Sequence, residues 1–586
     1  MKQAPASFRK AALLWAALFV PVIWAALLLA TCYTPDMSLL ELAEAFTVKL
    51  DTPFAIVWTE DSPRFLLIAA LIYGGGISAY YALRGNYRMG EEHGTAKWGS
   101  ATELNARYAE RGLKNIILTK HVKMGLNTRK HRRNLNILVI GGTGAGKTRF
   151  YAKPQIMQCN TSFLVIDPKS EMLRATGNLL KSKGYDIKVV DLINMDRSDG
   201  YNPFHYIECD EDVFKLISNL IRNTTPPKSR DSDPFWVKSE TALLSAIMLY
   251  LFHVSPKEEQ NFAMVMFLIE NGGASEEDET YMSVLDLLFT ELEHEDPEHI
   301  AVKTYKIFRQ AAGKTAKSII VSAAVRLAVF NLAKVQALTE HDDLDIGSLG
   351  ESKRAIFVVT PDNDDTYNFI VGMLYTQAFQ ALYRNADYKH GGRLPVPVRI
   401  VADEFANVAN LSPDDFLRVL ATMRSREISI SIIIQNLAQL KKQFGTEAWE
   451  SVVGNTDEIL YLGGNEQGTH IFLSKMLGKA TIDTMTRGTT KGRQGSFTRT
   501  IQNAGRELMT PDEVRMLDNR LALLFIRGER PVMDEKYDIL KHPNIKATED
   551  GGATSYVHIP ARHAQVPVEA GATLFDLARI DDFELI

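Results

Sequence analysis

A glycine-rich turn that contains one lysine and one threonine is the strongest chemical feature of this sequence. It reads Gly141-Gly142-Thr143-Gly144-Ala145-Gly146-Lys147-Thr148 and follows the apolar run NILVI directly. Glycines let several backbone N–H groups surround a phosphate, and a helix that follows adds the positive end of its dipole. We expect Lys147 to bridge the β- and γ-phosphates and Thr148 to give its hydroxyl to Mg²⁺. This is the pattern of a P-loop, and it predicts ATP and Mg²⁺ as cofactors. The alternative is a chance glycine-rich turn.

Two further strand-like runs end in side chains that suit phosphate hydrolysis. VPVRIVADEF runs into Asp403 and Glu404, and SISIIIQN reaches Gln435. The carboxyl ends of parallel strands share one rim of a sheet, so these side chains should meet the P-loop there. We expect Asp403 to hold Mg²⁺ through water, Glu404 to polarise the attacking water and Gln435 to sense the γ-phosphate or position water. The alternatives are two surface acids and a capping amide.

An arginine pair stands just before the second of these runs. The segment MRSREIS places Arg424 and Arg426 at a predicted helix end. In ring ATPases an arginine reaches the nucleotide of the neighbouring subunit and neutralises charge in the transition state, which is worth roughly 10³–10⁵ in rate. Arg424 is our candidate for that role. A partner for the carboxyl end of the helix dipole is the competing interpretation.

The elements that must position these residues follow from hydrophobic periodicity. Apolar strands alternate with helical segments over 136–209 and 346–545, which predicts an α/β domain whose parallel sheet is covered on both faces. The intervening residues 210–345 have helical periodicity and predict an inserted all-α domain. Residues 91–135 are expected to be a juxtamembrane linker. The tail 546–586, rich in Gly, Ala and acidic residues, is expected to be loosely structured.

The first 90 residues predict a membrane anchor. Two apolar runs, at about 11–31 and 65–83, are long enough to cross a bilayer as helices. Cationic residues flank the pair and the loop 32–64 is acidic, so the positive-inside rule places both termini and the body in the cytoplasm. The alternatives are a cleaved signal peptide for the first run and a buried core helix for the second. We expect a two-span protein of the inner (cytoplasmic) membrane.

Overall charge gives no sign of nucleic-acid binding. The 586 residues are 46% hydrophobic and carry a net charge of −5, so nucleic acid would have to be bound by local basic patches. Two such stretches are 301–326, a phosphate-contacting or simply solvated helix face, and 485–506, a disordered surface loop or a phosphate-tracking loop facing DNA. The acidic stretch 275–299 is expected to be a solvated loop. Three cysteines without metal-ligand spacing argue against a disulfide framework or a zinc site.

Several motifs together resemble the TraG/TraD-type coupling proteins of type IV secretion systems, which belong to the HerA–FtsK group of ring-forming DNA motors. They are GGTGAGKT, DPKSE, YNPF, DPFW, VADEFAN, ATMRSREISISIIIQNLAQL, AWESVVGNTDEI and RELMTPDEVRML. The resemblance extends to about Pro543. It implies a RecA-like P-loop NTPase domain with an inserted all-α domain, preceded by two transmembrane helices. It also implies a homo-hexamer that pumps single-stranded DNA from a relaxase complex into the type IV secretion channel proteins during conjugative transfer.

The resemblance also assigns site residues by position. Lys147 and Thr148 match the P-loop of the family, and the Asp403-Glu404 pair and Gln435 match its second and third motifs. Arg424 stands eleven residues before Gln435, where a trans-acting arginine is expected. The chain departs from the family at 170, where a serine replaces the glycine of many relatives.

Two other functions stay open at the level of sequence. One is an FtsK- or HerA-like DNA translocase with another cargo, which would share the motor residues. The other is a membrane-bound docking platform for secretion substrates, in which nucleotide only regulates assembly. A passive platform has no need of Glu404, Gln435 and Arg424, so these residues favour a motor.

Overall fold

The computed structural model describes residues 6–83, 91–225, 234–273, 282–311, 313–362, 364–405, 413–489 and 497–560. Parts of several predicted segments lie outside the described residues, among them 1–5 and 84–90 of the membrane anchor, 275–281 of the acidic stretch, 490–496 of the second basic stretch and 561–586 of the tail. The chain divides into two compact units, residues 1–92 and 93–586.

The N-terminal unit consists of helices α1 (Ala6–Cys32), α2 (Leu39–Lys49) and α3 (Ser62–Leu83). Within it α1 and α3 contact each other through aromatic side chains. The Tyr73 hydroxyl donates to the backbone carbonyl of Trp15 at 2.6 Å. The Trp15 ring also meets that of Tyr80 edge-on, with centroids 5.3 Å apart. The expected apolar runs therefore form an antiparallel helical pair.

In the described part of the chain, three helices are long and apolar enough to cross a membrane. They are Leu13–Cys32, Ser62–Leu83 and Phe235–His253, and the bent pair Lys314–Asn331 and Ala333–Thr339 meets the same criteria jointly. The first two coincide with the predicted spans. Half of the apolar window of Phe235–His253 is buried inside the protein, which is typical of a core helix.

The second unit contains the strands and the other helices. The strands are β1 (Asn115–Ile117), β2 (Lys123–Gly125), β3 (Ile137–Ile140), β4 (Ser162–Pro168), β5 (Asp186–Asp191), β6 (Arg354–Thr360), β7 (Val398–Ala402), β8 (Ile428–Ile434), β9 (Glu458–Tyr461), β10 (Lys479–Thr489), β11 (Phe497–Glu507), β12 (Leu521–Ile526) and β13 (Val532–Glu535). The helices are α4 (Ala101–Tyr108), α5 (Thr128–His131), α6 (Lys153–Met157), α7 (Glu171–Ser182), α8 (Asp210–Thr224), α9 (Pro234–His253), α10 (Phe262–Glu270), α11 (Val284–Glu295), α12 (Ile300–Arg309), α13 (Gly313–Leu327), α14 (Ala333–Thr339), α15 (Asn368–Arg384), α16 (Pro413–Thr422), α17 (Leu437–Gly454), α18 (Gln467–Leu477) and α19 (Pro511–Arg515).

Nine of these strands form one sheet in the order β13-β12-β9-β3-β8-β7-β4-β6-β5. From β9 to β5 all neighbours are parallel, whereas β12 is antiparallel to both β9 and β13. The sheet is thus mixed, and our prediction of a parallel sheet was wrong at this edge. β12 and β13 are joined by the short segment 527–531, which permits their antiparallel pairing without a crossover helix.

Hydrophobic residues cover both faces of the sheet, as predicted for its central strands. Each residue of β3 and β8 is buried, and two separate apolar clusters pack on the two faces. Helices α6 and α7 lie on one face, while α15 and α17 lie on the other. Helices α8 to α14 lie between β5 and β6 in the chain, where the all-α insertion was expected.

Three segments are more ordered than the sequence indicated. Residues 91–135, expected as a linker, contain α4, α5 and the antiparallel β1–β2 pair. Of the 485–506 stretch, expected as a loop, the described residues 485–489 and 497–506 belong to a hairpin in which β10 and β11 pair over eleven positions. Residues 546–560 pack on the sheet domain, since the Tyr556 N–H donates to the Arg174 carbonyl and the His558 Nε2 lies 2.8 Å from Asp199 Oδ2.

Candidate nucleotide-binding site

The glycine-rich turn connects β3 to a helix at the carboxyl edge of the sheet. Residues Thr148–Ala152 form a π-helical turn that continues into α6. Gly144 and Gly146 have φ values of +78° and +81°, in the left-handed region that favours glycine. A Cβ on Gly146 would also lie 2.4 Å from the Phe150 ring. The loop conformation therefore requires glycine at 146 for both backbone and steric reasons.

The predicted catalytic side chains from three neighbouring strands converge on this turn. The Thr148 hydroxyl donates to Asp403 Oδ2 at 3.0 Å. Lys147 Nζ lies 3.8 Å from Glu404 Oε1. The Gln435 amide donates to both carboxylate oxygens of Glu404, each at 3.1 Å. The parallel order of β3, β8 and β7 brings these residues together, because their carboxyl ends lie at one rim.

The side chain of Asp403 is buried, and the residue is 6% exposed. Burial raises its pKa, and the hydrogen bond from Thr148 opposes that shift only in part. A threonine hydroxyl beside a buried carboxylate is an oxygen donor pair of the kind that Mg²⁺ shares with phosphate and water in P-loop enzymes. The residues present therefore fit Mg²⁺.

Glu404 has an unusual backbone for a non-glycine residue. Its φ is +51°, in the left-handed region, which costs roughly 1–2 kcal/mol for an L-residue. Its own N–H donates to Asp403 Oδ1 at 3.0 Å. Strained backbone of this kind concentrates at functional sites.

A third acid, Asp167, also lies at this rim, and sequence reasoning gave it no role. It is the next-to-last residue of β4 and accepts hydrogen bonds from the N–H groups of Met172 and Leu173, at 3.1 and 2.7 Å, so that it caps α7. Burial, with some help from the charge of Asp403, raises its pKa to about 7. Ser170 in the same turn has a φ of +58°, in the left-handed region that glycine adopts most easily.

Lys536 is a second cation at the P-loop, and its position in sequence gave no sign of this. Its Nζ donates to the Ala145 carbonyl inside the loop at 3.0 Å and to Asn519 Oδ1 at 3.1 Å. Its residue exposure is 6%, and burial lowers its pKa to about 8. The contact holds the backbone of the loop from the antiparallel edge of the sheet.

We expect Lys536→Met to weaken nucleotide binding by about ten-fold, because a hydrogen bond from a charged donor is worth about 1.5–3 kcal/mol. The wild-type affinity should fall as pH rises through 8, since the buried ammonium of Lys536 is then deprotonated. The variant should lack that part of the pH dependence. Titration with a fluorescent ATP analogue from pH 7 to 9 measures both effects. Equal affinity of the two proteins at pH 7 would show that the contact is dispensable.

A cavity of about 720 Å³ opens beside the P-loop. Besides residues 142–145 and Gln435, its walls come from the segment 462–466 after β9 and from Arg515, Leu517 and Asn519. The Gly142 N–H donates to the Gly463 carbonyl at 2.8 Å, so the two glycine-containing loops lie against each other. The run LYLGG could have predicted this wall. It holds the end of β9, which lies beside β3 and ends at the same rim of the sheet.

A buried polar cluster lies beneath the site and joins the three elements that carry it. The Tyr151 and Ser431 hydroxyls are 2.9 Å apart, and Arg399 Nη1 donates to Ser431 Oγ at 3.1 Å. Each member of the cluster stands four residues from a predicted site residue. Tyr151 follows Lys147, Ser431 precedes Gln435 and Arg399 precedes Asp403. The cluster therefore fixes how these elements sit relative to one another.

Arg424 lies away from this site. It belongs to a 3₁₀ turn, Met423–Arg426, before the amino end of β8. Because β8 rises about 3.3 Å per residue, more than about 20 Å separates Arg424 from Gln435. Its Nη2 donates to the carbonyl of Thr128 at 3.1 Å rather than to the end of the preceding helix. Arg424 cannot act on the nucleotide of its own subunit, which leaves the trans role as the only catalytic one.

This chain is similar to a protein-family model, to individual relatives and to solved structures. A family model described as "Type IV secretory system Conjugative DNA transfer" matches residues 95–552. Protein VirD4 of Rhizobium rhizogenes is 22% identical over 459 residues, which cover 76% of this chain and 65% of that protein. Conjugal transfer protein TraG of Rhizobium radiobacter is 21% identical over 412 residues, covering 67% and 60%. The chain thus spans less than two thirds of the length of these two relatives.

Among solved structures, the plasmid coupling protein TrwB in complex with ADP and Mg²⁺ is similar with a TM-score of 0.54 and 16% identity. The match covers 76% of this chain and 94% of that chain. The trigonal form of the conjugative coupling protein TrwBdeltaN70 with sulphate gives a TM-score of 0.55 at the same identity, covering 77% and 96%. The fold is accordingly that of a RecA-like P-loop NTPase with a helical domain.

Proposed function

This chain belongs to the type IV secretory system conjugative DNA transfer family, and we propose that it is a membrane-anchored hexameric ATPase that couples a relaxase–DNA complex to the secretion channel and pumps single-stranded DNA. One observation carries the proposal: Lys147 and Thr148 of the P-loop meet Asp403, Glu404 and Gln435 at one rim of the sheet.

We assign a step of hydrolysis to each of these side chains. Lys147 would bind the β- and γ-phosphates, and Thr148 with Asp403 would hold Mg²⁺, which would supply neutralising charge when bound. Glu404 accepts a hydrogen bond from the attacking water and raises its nucleophilicity. Gln435 restrains the Glu404 carboxylate through its two hydrogen bonds.

The cavity beside the P-loop accommodates the rest of the nucleotide. Its volume of about 720 Å³ lies within the range of small-molecule sites. Arg515 is exposed on its wall and has no acceptor among the described residues. We assign the sugar and base to this cavity, with the polyphosphate on the P-loop.

The membrane arrangement follows from α1 and α3. Both are apolar over lengths sufficient for a bilayer. Cationic flanks and the acidic loop between them orient both termini and the ATPase body toward the cytoplasm. We assign the protein to the inner membrane as a two-span protein, with α9 as a core helix of the helical domain.

Single-stranded DNA is expected to stimulate ATP hydrolysis by the full-length protein. A motor hydrolyses faster when its cargo is engaged, and a docking platform does not. The measurement is phosphate release by detergent-solubilised protein at low salt, with and without an oligonucleotide. Lys147→Ala serves as the control for contaminating ATPases. Binding of nucleotide without any hydrolysis above that control would support the platform instead, and stimulation by double-stranded DNA alone would favour another kind of translocase.

A further inference from the structure

The hairpin of β10 and β11 is an exposed ribbon with no share in the main sheet. Its strands pair only with each other over their eleven positions, apart from one bridge between Thr95 and Ala480 at the base. None of its described residues is buried. A two-stranded ribbon without a covered face gains little from its own contacts. Such an element suggests a surface for a partner.

Two arginines face each other across this ribbon. Arg487 pairs with Arg499 in the antiparallel register, and both are exposed. Like charges at directly opposite positions destabilise a hairpin. Neither side chain has a hydrogen bond or ion pair among the described residues. An anion that binds both guanidinium groups would remove this repulsion.

The surroundings add to the positive character of the ribbon. No acidic residue occurs from 484 to 506. The next pair on the same face is Met485 opposite Ile501, with exposures of 43% and 59%. Cationic side chains next to exposed apolar ones match a chain of phosphates that carries flat apolar bases.

The other basic stretch of the protein behaves differently. Four of its six cations form ion pairs with acids among the described residues. The pairs are Lys303–Glu298 at 2.7 Å, Lys306–Glu293 at 2.6 Å, Arg309–Asp286 at 3.2 Å and Arg326–Glu240 at 2.7 Å. At the base of the hairpin, Arg506 is likewise paired with Glu513 at 2.5 Å. Arg487 and Arg499 differ from these paired cations because they lie opposite each other and have no acidic partner among the described residues.

We propose that Arg487 and Arg499 bind the phosphate backbone of single-stranded DNA. This inference rests on the proposed function for the identity of the polyanion. The ribbon supplies backbone contacts without reading sequence, because the guanidinium groups meet phosphates and the neighbouring apolar side chains meet base faces of any kind.

The test compares Arg487→Ala/Arg499→Ala with Lys303→Ala/Lys306→Ala in the full-length detergent-solubilised protein. Both double variants remove two positive charges, but only the first removes unpaired ones. Binding of a fluorescent oligothymidylate is measured as a function of salt. Loss of two phosphate contacts should lower affinity about ten-fold or more at low salt and reduce the slope of log affinity against log salt by about 1.4. The lysine variant should bind like wild type.

Three results would overturn the proposal. Wild-type affinity and salt slope in the arginine variant would show that the ribbon does not contact DNA. Unchanged DNA binding with lost binding to vesicles of anionic lipid would assign the arginines to the membrane surface. Unchanged DNA binding with a smaller assembly mass would assign them to a contact between subunits.

Two features keep the result interpretable. Removing two like charges that face each other should not lower the melting temperature, so a drop would reveal a structural role instead. ATP hydrolysis is not the readout, so failure of this proposal and failure of the proposed ATPase activity are separate outcomes.

Discussion

Glu404→Gln is expected to lower ATP hydrolysis by at least about a hundred-fold while nucleotide affinity changes by no more than a few-fold. A positioned general base contributes about 10²–10⁴ in rate. Glutamine has the same shape but cannot take a proton from water. Because binding depends on Lys147, Thr148 and the loop backbone, the affinity should survive.

The geometry indicates that this substitution removes the carboxylate of residue 404 and leaves its contacts and backbone largely unchanged. Gln435 Nε2 holds both Glu404 oxygens at 3.1 Å, and an amide at 404 can still accept one of these bonds through its oxygen. The backbone φ of +51° at this position is no harder for glutamine than for glutamate. A loss of rate would therefore report on the carboxylate rather than on a collapsed loop.

Phosphate release and binding of a fluorescent ATP analogue measure the two quantities separately. Glu298→Gln makes the same chemical change at an exposed carboxylate that pairs with Lys303, and it should leave both unchanged. Asp403→Asn should instead weaken the Mg²⁺-dependent part of binding, since that carboxylate contacts Thr148. If Glu404→Gln hydrolyses ATP within ten-fold of wild type, Glu404 is not the base.

The convergence of the site was predictable because it depends on rules of local pattern and sheet topology. A glycine-rich turn after a strand identifies the P-loop. Parallel strands that end in Asp403-Glu404 and Gln435 must present them at the same rim. No knowledge of side-chain packing was needed for this step, and the observed contacts of 3.0 to 3.8 Å follow from it.

The supporting residues were not predictable in the same way, because they act through contacts between distant parts of the chain. Lys536 contacts Ala145 across 391 positions, and nothing in its local sequence marks it. Arg399 occurs within an apolar strand, where its burial beside Ser431 shows only in the folded sheet. The Gly-, Ser- and Thr-rich composition of 485–506 resembles that of a loop. Only the cross-strand register reveals a hairpin.

Mixing Arg424→Ala with Lys147→Ala subunits is expected to restore ATP hydrolysis that each variant lacks alone. Loss of a trans-acting arginine should cost about 10³-fold or more in rate. The Arg424 guanidinium lies at the amino end of β8, on the opposite edge from its own P-loop. In a head-to-tail ring the same edge of one subunit can face the P-loop of the next.

The mixture contains sites that neither parent can form. An Arg424→Ala subunit has an intact P-loop, and a Lys147→Ala neighbour supplies an intact Arg424. With equal amounts and random assembly, about one quarter of the interfaces in a ring combine the two intact parts. Phosphate release should then reach up to about a quarter of the wild-type rate per subunit. Subunits must be mixed under conditions that allow rings to exchange, which a labelled-subunit assay verifies.

A second mixture isolates the trans contact from general effects of assembly. Lys147→Ala and Glu404→Gln both disable the P-loop side of a site, so every interface in their mixture remains defective. Recovery in the first mixture but not in the second can come only from an Arg424 that works across the interface. If both mixtures stay at the level of their parents while exchange is verified, Arg424 instead stabilises its own subunit through Thr128, and the transition state is neutralised by another residue.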